Sequence, residues 1–188
     1  MTKHEIRKAA ENARSRLTPT AWGKYSAAIE KRVLSADFYQ NAQIVFCYAS
    51  FRREADTWGI LERILRDGKR LLVPRTLKDG QMLAVEIKSL DDLVPGRFGL
   101  REPASRLESD LVPDLVLVPG VAFSPAGDRV GFGKGYYDRC LSKYPEALRA
   151  ALCFEVQLFE DIPAEAFDIP MDLILTEKRE IVCSKGRG

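Results

Sequence analysis

The sequence predicts a single α/β domain with a mainly parallel sheet, helices on both faces of that sheet and a few antiparallel strands. Short continuous apolar runs, such as residues 44–48 and 115–118, are typical of strands that are covered on both faces. These runs alternate with stretches of helical period, which is the order of elements in parallel sheets. The chain of 188 residues is long enough for one sizeable core, so we expect residues 1–188 to form one domain.

Four helices are predicted from apolar residues that recur at helical spacing. They span residues 2–17, 19–35, 57–67 and about 136–144. Thr18 is the expected N-cap of the second helix, and either Asp56 or Thr57 is the expected cap of the third. Residues 37–41 are predicted to be a break between a helix and a strand.

The predicted strands are mostly short apolar runs between turn residues. They span residues 44–48, 70–74, 82–87, 115–118, 149–154, 173–176 and 180–183. Residues 89–113 contain three prolines and two glycines, so we expect an irregular segment on the surface. If the strands 44–48 and 115–118 run parallel, the loops that follow them lie at the same edge of the sheet.

The composition is that of a soluble globular protein, with 46% hydrophobic and 30% charged residues. A net charge of +2 is too small to indicate a nucleic-acid or membrane-surface partner. The chain has no apolar run of membrane-spanning length, and its charged amino terminus does not resemble a signal peptide. The four cysteines form no CxxC pair and fall mostly in apolar runs, so we expect reduced thiols and a cytoplasmic location.

A glycine-rich stretch from Pro119 to Arg139 is the strongest candidate for a functional site. Four of its glycines, Gly127, Gly131, Gly133 and Gly135, are interspersed with the cations Arg129 and Lys134. Glycines let backbone amides turn toward one point, and amides beside cations and a helix start suit a phosphate. The alternative is a flexible connection that needs glycine only to turn. The position between a buried strand and a helix favours ligand binding, because open α/β sheets bind ligands there.

The spacing of these glycines excludes two common nucleotide motifs. Gly131, Gly133 and Gly135 form GxGxG rather than the GxGxxG of dinucleotide-binding folds. The stretch is not a Walker A loop either, because Asp128 replaces its first glycine and Gly135 replaces the Ser or Thr after the lysine. A different phosphate loop remains, with a nucleotide as the expected ligand.

Charged residues elsewhere leave alternatives open. Lys3, Arg7 and Arg14 lie within roughly 40° of one another around a helix, which suits either a solvated face or a ligand contact. Asp138 falls in a first helical turn, where it either complements the helix dipole or serves as an oxygen ligand for Mg²⁺. Glu54 is not needed as a helix cap and is therefore a candidate ligand contact.

Two further observations narrow the chemistry. Tyr136 and Tyr137 either pack in the core or lie against a flat ligand, and the sequence favours neither interpretation. The single histidine, His4, lies near the amino terminus, and no Ser-His-Asp triad or zinc cluster can be assembled around it. Hydrolase triads and zinc chemistry are therefore disfavoured.

The stretch PGVAFSPAGDRVGFGKGYYDR, residues 119–139, resembles the signature of the 5-formyltetrahydrofolate cyclo-ligases, also called methenyltetrahydrofolate synthetases. Lys3 and Arg7 resemble the amino-terminal KxxxR of that family. Three more landmarks follow in the family's order: residues 48–57 (YxSxxxExDT), 99–103 (GxxEP) and 169–172 (the late PxD element). The resemblance covers essentially the whole chain, and its glycine-rich block is long enough to be specific.

The resemblance implies an ATP- and Mg²⁺-dependent conversion of 5-formyltetrahydrofolate to 5,10-methenyltetrahydrofolate, ADP and phosphate. In this family the formyl oxygen is phosphorylated on the substrate, N10 closes the ring and phosphate departs. Positioning and charge neutralisation dominate such transfers, so the lack of a catalytic nucleophile is expected.

The family's site residues carry over to matching positions of this chain. The implied catalytic residues are Lys134 and Arg129. The implied ATP-binding residues are Lys3, Arg7, Arg129, Gly131, Phe132, Gly133, Lys134, Gly135, Tyr136 and Tyr137. The implied folate-binding residues are Ala49, Glu54 and Tyr136. Asp138 and Asp172 are the implied Mg²⁺ ligands, although Asp172 precedes its strand and a parallel strand would leave it at the opposite edge of the sheet.

One residue departs from the family's sequence pattern. Phe132 stands where some family members carry an arginine, which puts substrate affinity rather than reaction type in question.

Two alternative functions remain. The first is a non-catalytic nucleotide- or RNA-binding module on the same fold, which would predict that Lys3, Arg7, Glu54 or Asp138 has been lost. The second is a phosphosugar isomerase-like enzyme, which would need an acid–base pair and no ATP. We expect a monomer that binds small molecules and neither nucleic acid nor membranes.

Overall fold

The computed structural model describes residues 1–186 and has a mixed α/β fold. Its helices are α1 (Lys3–Ser15), α2 (Pro19–Ser35), α3 (Asp37–Asn41), α4 (Trp58–Arg66) and α5 (Tyr136–Leu141). Its strands are β1 (Ile44–Cys47), β2 (Arg70–Thr76), β3 (Met82–Ile87), β4 (Leu93–Pro95), β5 (Arg101–Pro103), β6 (Leu115–Val118), β7 (Ala122–Phe123), β8 (Arg129–Val130), β9 (Leu148–Leu152), β10 (Leu173–Leu175) and β11 (Glu180–Val182). Every predicted helix and strand is present, and their ends shift by a few residues.

Seven strands form one sheet in the order β11-β10-β9-β6-β1-β2-β3. The five inner strands run parallel to one another, whereas the two outer strands, β3 and β11, pair antiparallel with their neighbours. β1 and β6 are parallel neighbours, with Val45 opposite Leu115. The loops that follow these two strands therefore lie at the same edge of the sheet, as predicted.

Helices cover both faces of the sheet because alternate strand residues point to opposite sides. Val45 and Cys47 of β1 face a core shared with α2 and α4, in which Ile29, Val33, Ile60, Leu61 and Ile64 are all fully buried. Phe46 points the other way, into a core that includes Cys140 and Leu141 of α5. The predicted fold class is confirmed.

A third, smaller core fixes the amino-terminal helix. Ile6 and Ala10 of α1 pack on Val121, Ala122 and Val130 of the β7–β8 hairpin, and all five are buried. Thr2 starts the helix with a capping box, since its hydroxyl accepts from the Glu5 amide and Glu5 accepts from the Thr2 amide. The helix is therefore docked against the segment that contains the glycine-rich stretch.

The structure differs from the sequence predictions where elements are short. Residues 37–41, predicted to be a break, form the one-turn helix α3. The predicted irregular segment 89–113 contains the β4–β5 hairpin, and the predicted glycine-rich loop contains the β7–β8 hairpin. The strands of these two hairpins are two or three residues long and lie among prolines and glycines, so they show no periodic pattern that distinguishes them from loops.

The two residues predicted as alternative caps of α4, Asp56 and Thr57, form different hydrogen bonds. Asp56 accepts a hydrogen bond from the Trp58 amide through Oδ1 at 3.0 Å, so it satisfies a free amide of the first turn. The Thr57 side chain instead donates to the Tyr48 carbonyl at 2.6 Å and accepts from the Ser50 amide at 2.9 Å. Thr57 thus ties α4 to the loop that follows β1.

The four cysteines, Cys47, Cys140, Cys153 and Cys183, are free thiols, and all four are buried. This agrees with the prediction of reduced residues in the core. Burial raises the pKa of the Cys140 thiol to about 12, so it stays protonated near neutral pH. Across residues 1–186, no helix combines the length and the apolarity that a membrane crossing requires.

Candidate active site

The glycine-rich stretch forms one wall of a cleft of about 980 Å³ at the carboxyl edge of the parallel strands. The chain leaves β6, turns through the β7–β8 hairpin and enters α5 at Tyr136. Gly133 (φ 87°) and Gly135 (φ 64°) adopt left-handed conformations just before the helix, which glycine adopts without steric cost. The predicted residues from Arg129 to Asp138 all line this cleft.

Gly127 serves the fold rather than the cleft. It occupies the turn of the β7–β8 hairpin with φ 106°, and a Cβ there would stand 2.7 Å from the Met171 carbonyl oxygen. Its amide donates to the Ser124 carbonyl, which closes the turn. Gly131, Gly133 and Gly135 line the cleft, whereas Gly127 does not.

Arg129 lies beneath the glycine loop, and its side chain is only 5% exposed. Its Nη2 donates to Oδ2 of Asp138 at 2.9 Å, and its guanidinium lies 5.6 Å from the centre of the Tyr137 ring. A Cβ on Gly131 would stand 2.8 Å from Nη1, so Gly131 leaves the room that this guanidinium needs. Nε of Arg129 is buried and has no hydrogen-bond partner among residues 1–186.

Lys3 and Arg7 reach the glycine loop from α1. Nε of Arg7 donates to the Gly131 carbonyl at 3.0 Å. Nζ of Lys3 lies 2.6 Å from Oδ2 of Asp168 and 2.8 Å from Oε2 of Glu165. Burial alone would lower the pKa of Lys3, but its bonds to both carboxylates outweigh burial and raise that pKa. The sequence left two alternatives for Lys3 and Arg7, a solvated helix face or a ligand contact. The structure places both side chains in the lining of the cleft.

Glu54 lines the opposite part of the cleft, in the loop after β1. Its Oε2 accepts from the Phe51 amide at 2.8 Å, and its own carbonyl accepts from Nε1 of Trp22 at 2.9 Å. Burial raises the pKa of Glu54 to about 7, against the smaller opposing effects of the Phe51 hydrogen bond and the charge of Arg14. The group is therefore close to half-protonated at neutral pH, so it can donate as well as accept a hydrogen bond.

Replacing Glu54 with glutamine is expected to change the pH dependence of stability. The folded pKa of Glu54 is raised, so its contribution to stability is present at low pH and is lost as pH rises from the unfolded value of 4.5 through about 7. The glutamine keeps an acceptor for the Phe51 amide and has no such loss. The free energy of unfolding of Glu54→Gln should gain on wild type by up to about 3 kcal/mol between pH 5 and pH 8.

Urea denaturation at those two pH values measures this difference. Glu62→Gln is a suitable control, because Glu62 pairs with Arg66 at the exposed surface of α4. An unchanged difference between Glu54→Gln and wild type at the two pH values would show that the carboxylate is not desolvated as its burial indicates.

Apolar side chains occupy much of the remaining cleft surface. Ala49 is buried beside Glu54, and Tyr136 contributes to the lining next to Arg139, whose guanidinium lies 5.8 Å from its ring centre. Phe132 also lines the cleft, and its phenyl ring is 54% exposed. The other apolar lining residues include Phe51, Met82, Phe98, Leu100 and Phe167. This half of the cleft suits a flat, partly apolar molecule.

Asp172 does not lie with the other predicted site residues. β10 runs parallel to β9, so Asp172, just before β10, lies at the amino edge of the sheet. Its carboxylate, 2% exposed, receives Nε and Nη2 of Arg149 at 3.0 and 2.9 Å and the Arg149 amide at 2.8 Å. The structure therefore does not bring Asp172 to the cleft that contains Asp138, and its role as a metal ligand there is not supported.

Asp138 and Asp168 are two aspartates in the lining of the cleft that contains the glycine loop. Oδ1 of Asp138 accepts from the Ile169 amide at 3.2 Å, which joins α5 to the loop containing Asp168. Residues 1–186 contain no cluster of three or more His, Cys, Asp or Glu residues arranged to hold a metal ion. Mg²⁺ commonly takes only one or two carboxylates and completes its shell with water and phosphate oxygens. The residues present thus fit a magnesium ion that binds together with a phosphorylated ligand.

Sequence reasoning missed Glu165, Asp168 and the position of Arg14 in the cleft. Glu165 and Asp168 lie in an irregular loop, where no periodic pattern distinguishes a site residue from a solvated one. Asp168 also closes that loop, since its Oδ2 accepts from the Glu165 amide at 2.8 Å. Arg14 carried a signal, its place on the same helix face as Lys3 and Arg7, and all three side chains line the cleft.

The chain resembles proteins of known activity along most of its length. A model of the 5-formyltetrahydrofolate cyclo-ligase family matches residues 1–177. The chain is 28% identical over 195 residues to a probable 5-formyltetrahydrofolate cyclo-ligase of Caenorhabditis elegans, covering 96% of this chain and 95% of the relative. It is 31% identical over 175 residues to the 5-formyltetrahydrofolate cyclo-ligase of Saccharomyces cerevisiae, covering 80% and 81%.

A solved structure has the same fold. The NMR structure of Aquifex aeolicus 5,10-methenyltetrahydrofolate synthetase superimposes with a TM-score of 0.85 at 31% sequence identity. The match covers 100% of this chain and 96% of that one. The similarity therefore extends over the whole α/β fold, including the strands whose carboxyl ends form the cleft.

Proposed function

Because the chain belongs to the 5-formyltetrahydrofolate cyclo-ligase family, we propose that it converts 5-formyltetrahydrofolate to 5,10-methenyltetrahydrofolate with consumption of ATP in the presence of Mg²⁺. We propose that residues 1–188 act as one domain and as a cytoplasmic monomer. The observation that carries the proposal is one cleft that holds Arg7 and Lys134 at the glycine loop and Glu54 on a neighbouring strand's loop. Such a cleft suits a phosphate donor and a flat acceptor side by side.

The reaction that we propose begins on the formyl group. The formyl oxygen attacks the γ-phosphorus of ATP and ADP leaves, which gives a phosphorylated formyl intermediate on N5. N10 then attacks the formyl carbon, the N10 proton is lost and inorganic phosphate carries away the former formyl oxygen. The phosphorylation converts the formyl oxygen from a poor leaving group into a good one, so the protein needs no covalent nucleophile of its own.

The glycine loop and α1 would bind the nucleotide. The amides from Gly131 to Gly135 and the ammonium of Lys134 would face the transferred phosphoryl group and neutralise the charge that develops there. Lys3 and Arg7 would contact the phosphates from α1, with Lys3 positioned by Asp168 and Glu165. Arg129 is buried and paired with Asp138, which supports a role in shaping the loop, and the guanidinium hydrogens outside that pair would donate to the phosphates.

Glu54 would fix the folate. Its carboxyl can accept or donate a hydrogen bond near neutral pH, and the nitrogens and the carbonyl of a reduced pteridine offer both kinds of partner. Ala49 and Tyr136 would pack against the ring system, and the exposed ring of Phe132 would cover it from the rim. The apolar surroundings exclude water from the formyl group, which protects the intermediate from hydrolysis.

Asp138 would hold the magnesium ion. When bound, the ion neutralises the ATP phosphates and lowers the barrier to phosphoryl transfer. Asp138→Asn is expected to raise the Mg²⁺ concentration needed for half-maximal activity by about tenfold or more, because the amide loses the anionic oxygen. A Mg²⁺ titration at saturating ATP and folate measures the effect, with the exposed Asp37→Asn as control. A titration curve that coincides with wild type would leave Asp138 as a partner of Arg129 only.

Absorbance of methenyltetrahydrofolate tests the function directly. Purified protein mixed with 5-formyltetrahydrofolate and MgATP should form that product together with one equivalent each of ADP and phosphate. Omission of ATP, and its replacement by a non-hydrolysable analogue, are the controls. Failure to form product under these conditions would refute the proposed activity and favour a non-catalytic nucleotide-binding module, which would still bind ATP.

A further inference from the structure

Three of the four Lys and Arg residues of α1 line the cleft, and Arg14 is the one of these three without a binding role in the proposed reaction. Lys3, Arg7 and Arg14 lie on one face of the helix, and all three side chains line the cleft. Lys3 is paired with two carboxylates and Arg7 with the Gly131 carbonyl, both next to the glycine loop. Arg14 lies eleven residues after Lys3, about 16 Å further along the helix axis. It therefore marks the end of the cleft that is remote from the phosphate site.

One guanidinium nitrogen of Arg14 has no hydrogen-bond acceptor in the part of the chain that the structure describes. Its Nη1 is shielded from solvent and donates to no acceptor in residues 1–186. Glu11, one turn earlier on the same face, also lines the cleft, but these residues show no ion pair between Glu11 and Arg14. A shielded guanidinium nitrogen without an acceptor costs free energy, whereas an anionic ligand would satisfy it with a strong, bidentate hydrogen bond.

The order of groups along the cleft indicates which part of the ligand reaches Arg14. Nη1 of Arg53 donates to the Leu17 carbonyl at 3.1 Å, so the loop that contains Glu54 lies against the chain just after α1, at the Arg14 end. The charge of Arg14 acts on Glu54, and the charge of Glu54 contributes to the raised pKa of Tyr137, which agrees with a position of Glu54 between Arg14 and the glycine loop. A folate whose pteridine is held at Glu54, with its formyl group toward Lys134, extends its glutamate tail away from the phosphate site. The carboxylates of a folate are all on that tail.

We propose that Arg14 binds a carboxylate of the folate's glutamate tail and so determines specificity for glutamylated substrates. This inference rests on the proposed function and adds a residue and a ligand group to the same site. Arg14 would act on binding alone, because it lies away from the reacting formyl group. Exposed Arg52, which also lines the cleft, would extend the positive surface at that end.

A comparison of two substrates tests the proposal. Arg14→Gln and wild type are assayed with 5-formyltetrahydrofolate and with the primary amide of 5-formyltetrahydropteroate, which lacks the glutamate and has no carboxylate. For the glutamylated substrate, KM should rise about 10- to 100-fold in Arg14→Gln, as expected for a lost charge-assisted hydrogen bond, while the KM for ATP stays the same. For the truncated substrate, the two proteins should differ by less than about threefold. Arg16→Gln, which removes an exposed cation at the end of the same helix, is the matched control and should behave as wild type.

Other outcomes overturn the proposal in distinguishable ways. Equal losses with both substrates would mean that Arg14 acts on the pteridine or through Glu54, and a raised KM for ATP would assign it to the nucleotide. Unchanged kinetics with both substrates would mean that it binds neither. If wild type forms no product, the proposed function fails first. Calorimetric binding of the two folates to wild type and Arg14→Gln still decides the role of Arg14, and no binding to wild type would refute both proposals.

Discussion

Replacing Lys134 with alanine is expected to lower turnover about a hundred- to a thousandfold while the fold remains intact. Removal of one preorganised group that stabilises transition-state charge typically costs this much. The Lys134 side chain is exposed and forms no ion pair in residues 1–186; its backbone carbonyl alone accepts a hydrogen bond, from Arg139 at 2.7 Å. The free energy of unfolding should therefore change by less than about 0.5 kcal/mol.

Single-turnover kinetics with saturating MgATP and 5-formyltetrahydrofolate would measure the chemical step of Lys134→Ala directly. Lys143→Ala is the matched control, because Lys143 is a surface lysine paired with Glu108 outside the cleft. Turnover within threefold of wild type in Lys134→Ala would mean that the glycine-rich stretch binds phosphate through its amides alone or is only a turn.

Replacing Asp172 with asparagine is expected to destabilise the protein by about 3–5 kcal/mol, because it leaves a buried guanidinium without its counter-charge. The side chains of Arg149 and Asp172 are 10% and 2% exposed, so water cannot replace the lost partner. The Mg²⁺ dependence of the remaining folded enzyme should be unchanged, since the pair lies at the amino edge of the sheet. Urea denaturation and a Mg²⁺ titration measure the two effects.

A double variant separates the ion pair from the space that it fills. Arg149→Met combined with Asp172→Leu removes both charges together and should recover most of the lost stability, since replacing both members of a buried pair is often neutral. A single variant that is as stable as wild type but needs more Mg²⁺ would contradict the structural interpretation and return Asp172 to the metal site.

The parts of the fold with strong periodicity were predictable from the sequence. Strands such as 115–118 are apolar throughout because both faces are covered, and this pattern is independent of distant residues. The edge at which Glu54 and the glycine loop meet follows from parallel pairing alone. The β7–β8 hairpin was not predictable, because two-residue strands depend on tertiary contacts, here with Ile6 and Ala10.

The candidate site was predictable where residues act through a local motif. The glycines before α5 and the cationic face of α1 are local patterns, and the structure brings them into one cleft. The partners of their charges were not predictable: Arg129 is paired with Asp138, and Lys3 is paired with Asp168 and Glu165, 165 and 162 positions later in the chain. A sequence shows which residues carry charge, but not which of those charges neutralise each other in the fold.

The docking of α1 on the β7–β8 hairpin has a consequence for synthesis on the ribosome. Arg7 and Gly131, which are joined by a hydrogen bond, are 124 positions apart. Translation proceeds at about 5–20 residues per second, so the loop that α1 contacts is synthesised roughly 6–25 s after α1 itself. An isolated helix of 13 residues is marginal in water, so α1 is expected to fluctuate during this interval with Ile6 and Ala10 uncovered. Nascent chains stalled before residue 131 would then lack the phosphate end of the cleft, and the phosphate end would be completed late in translation.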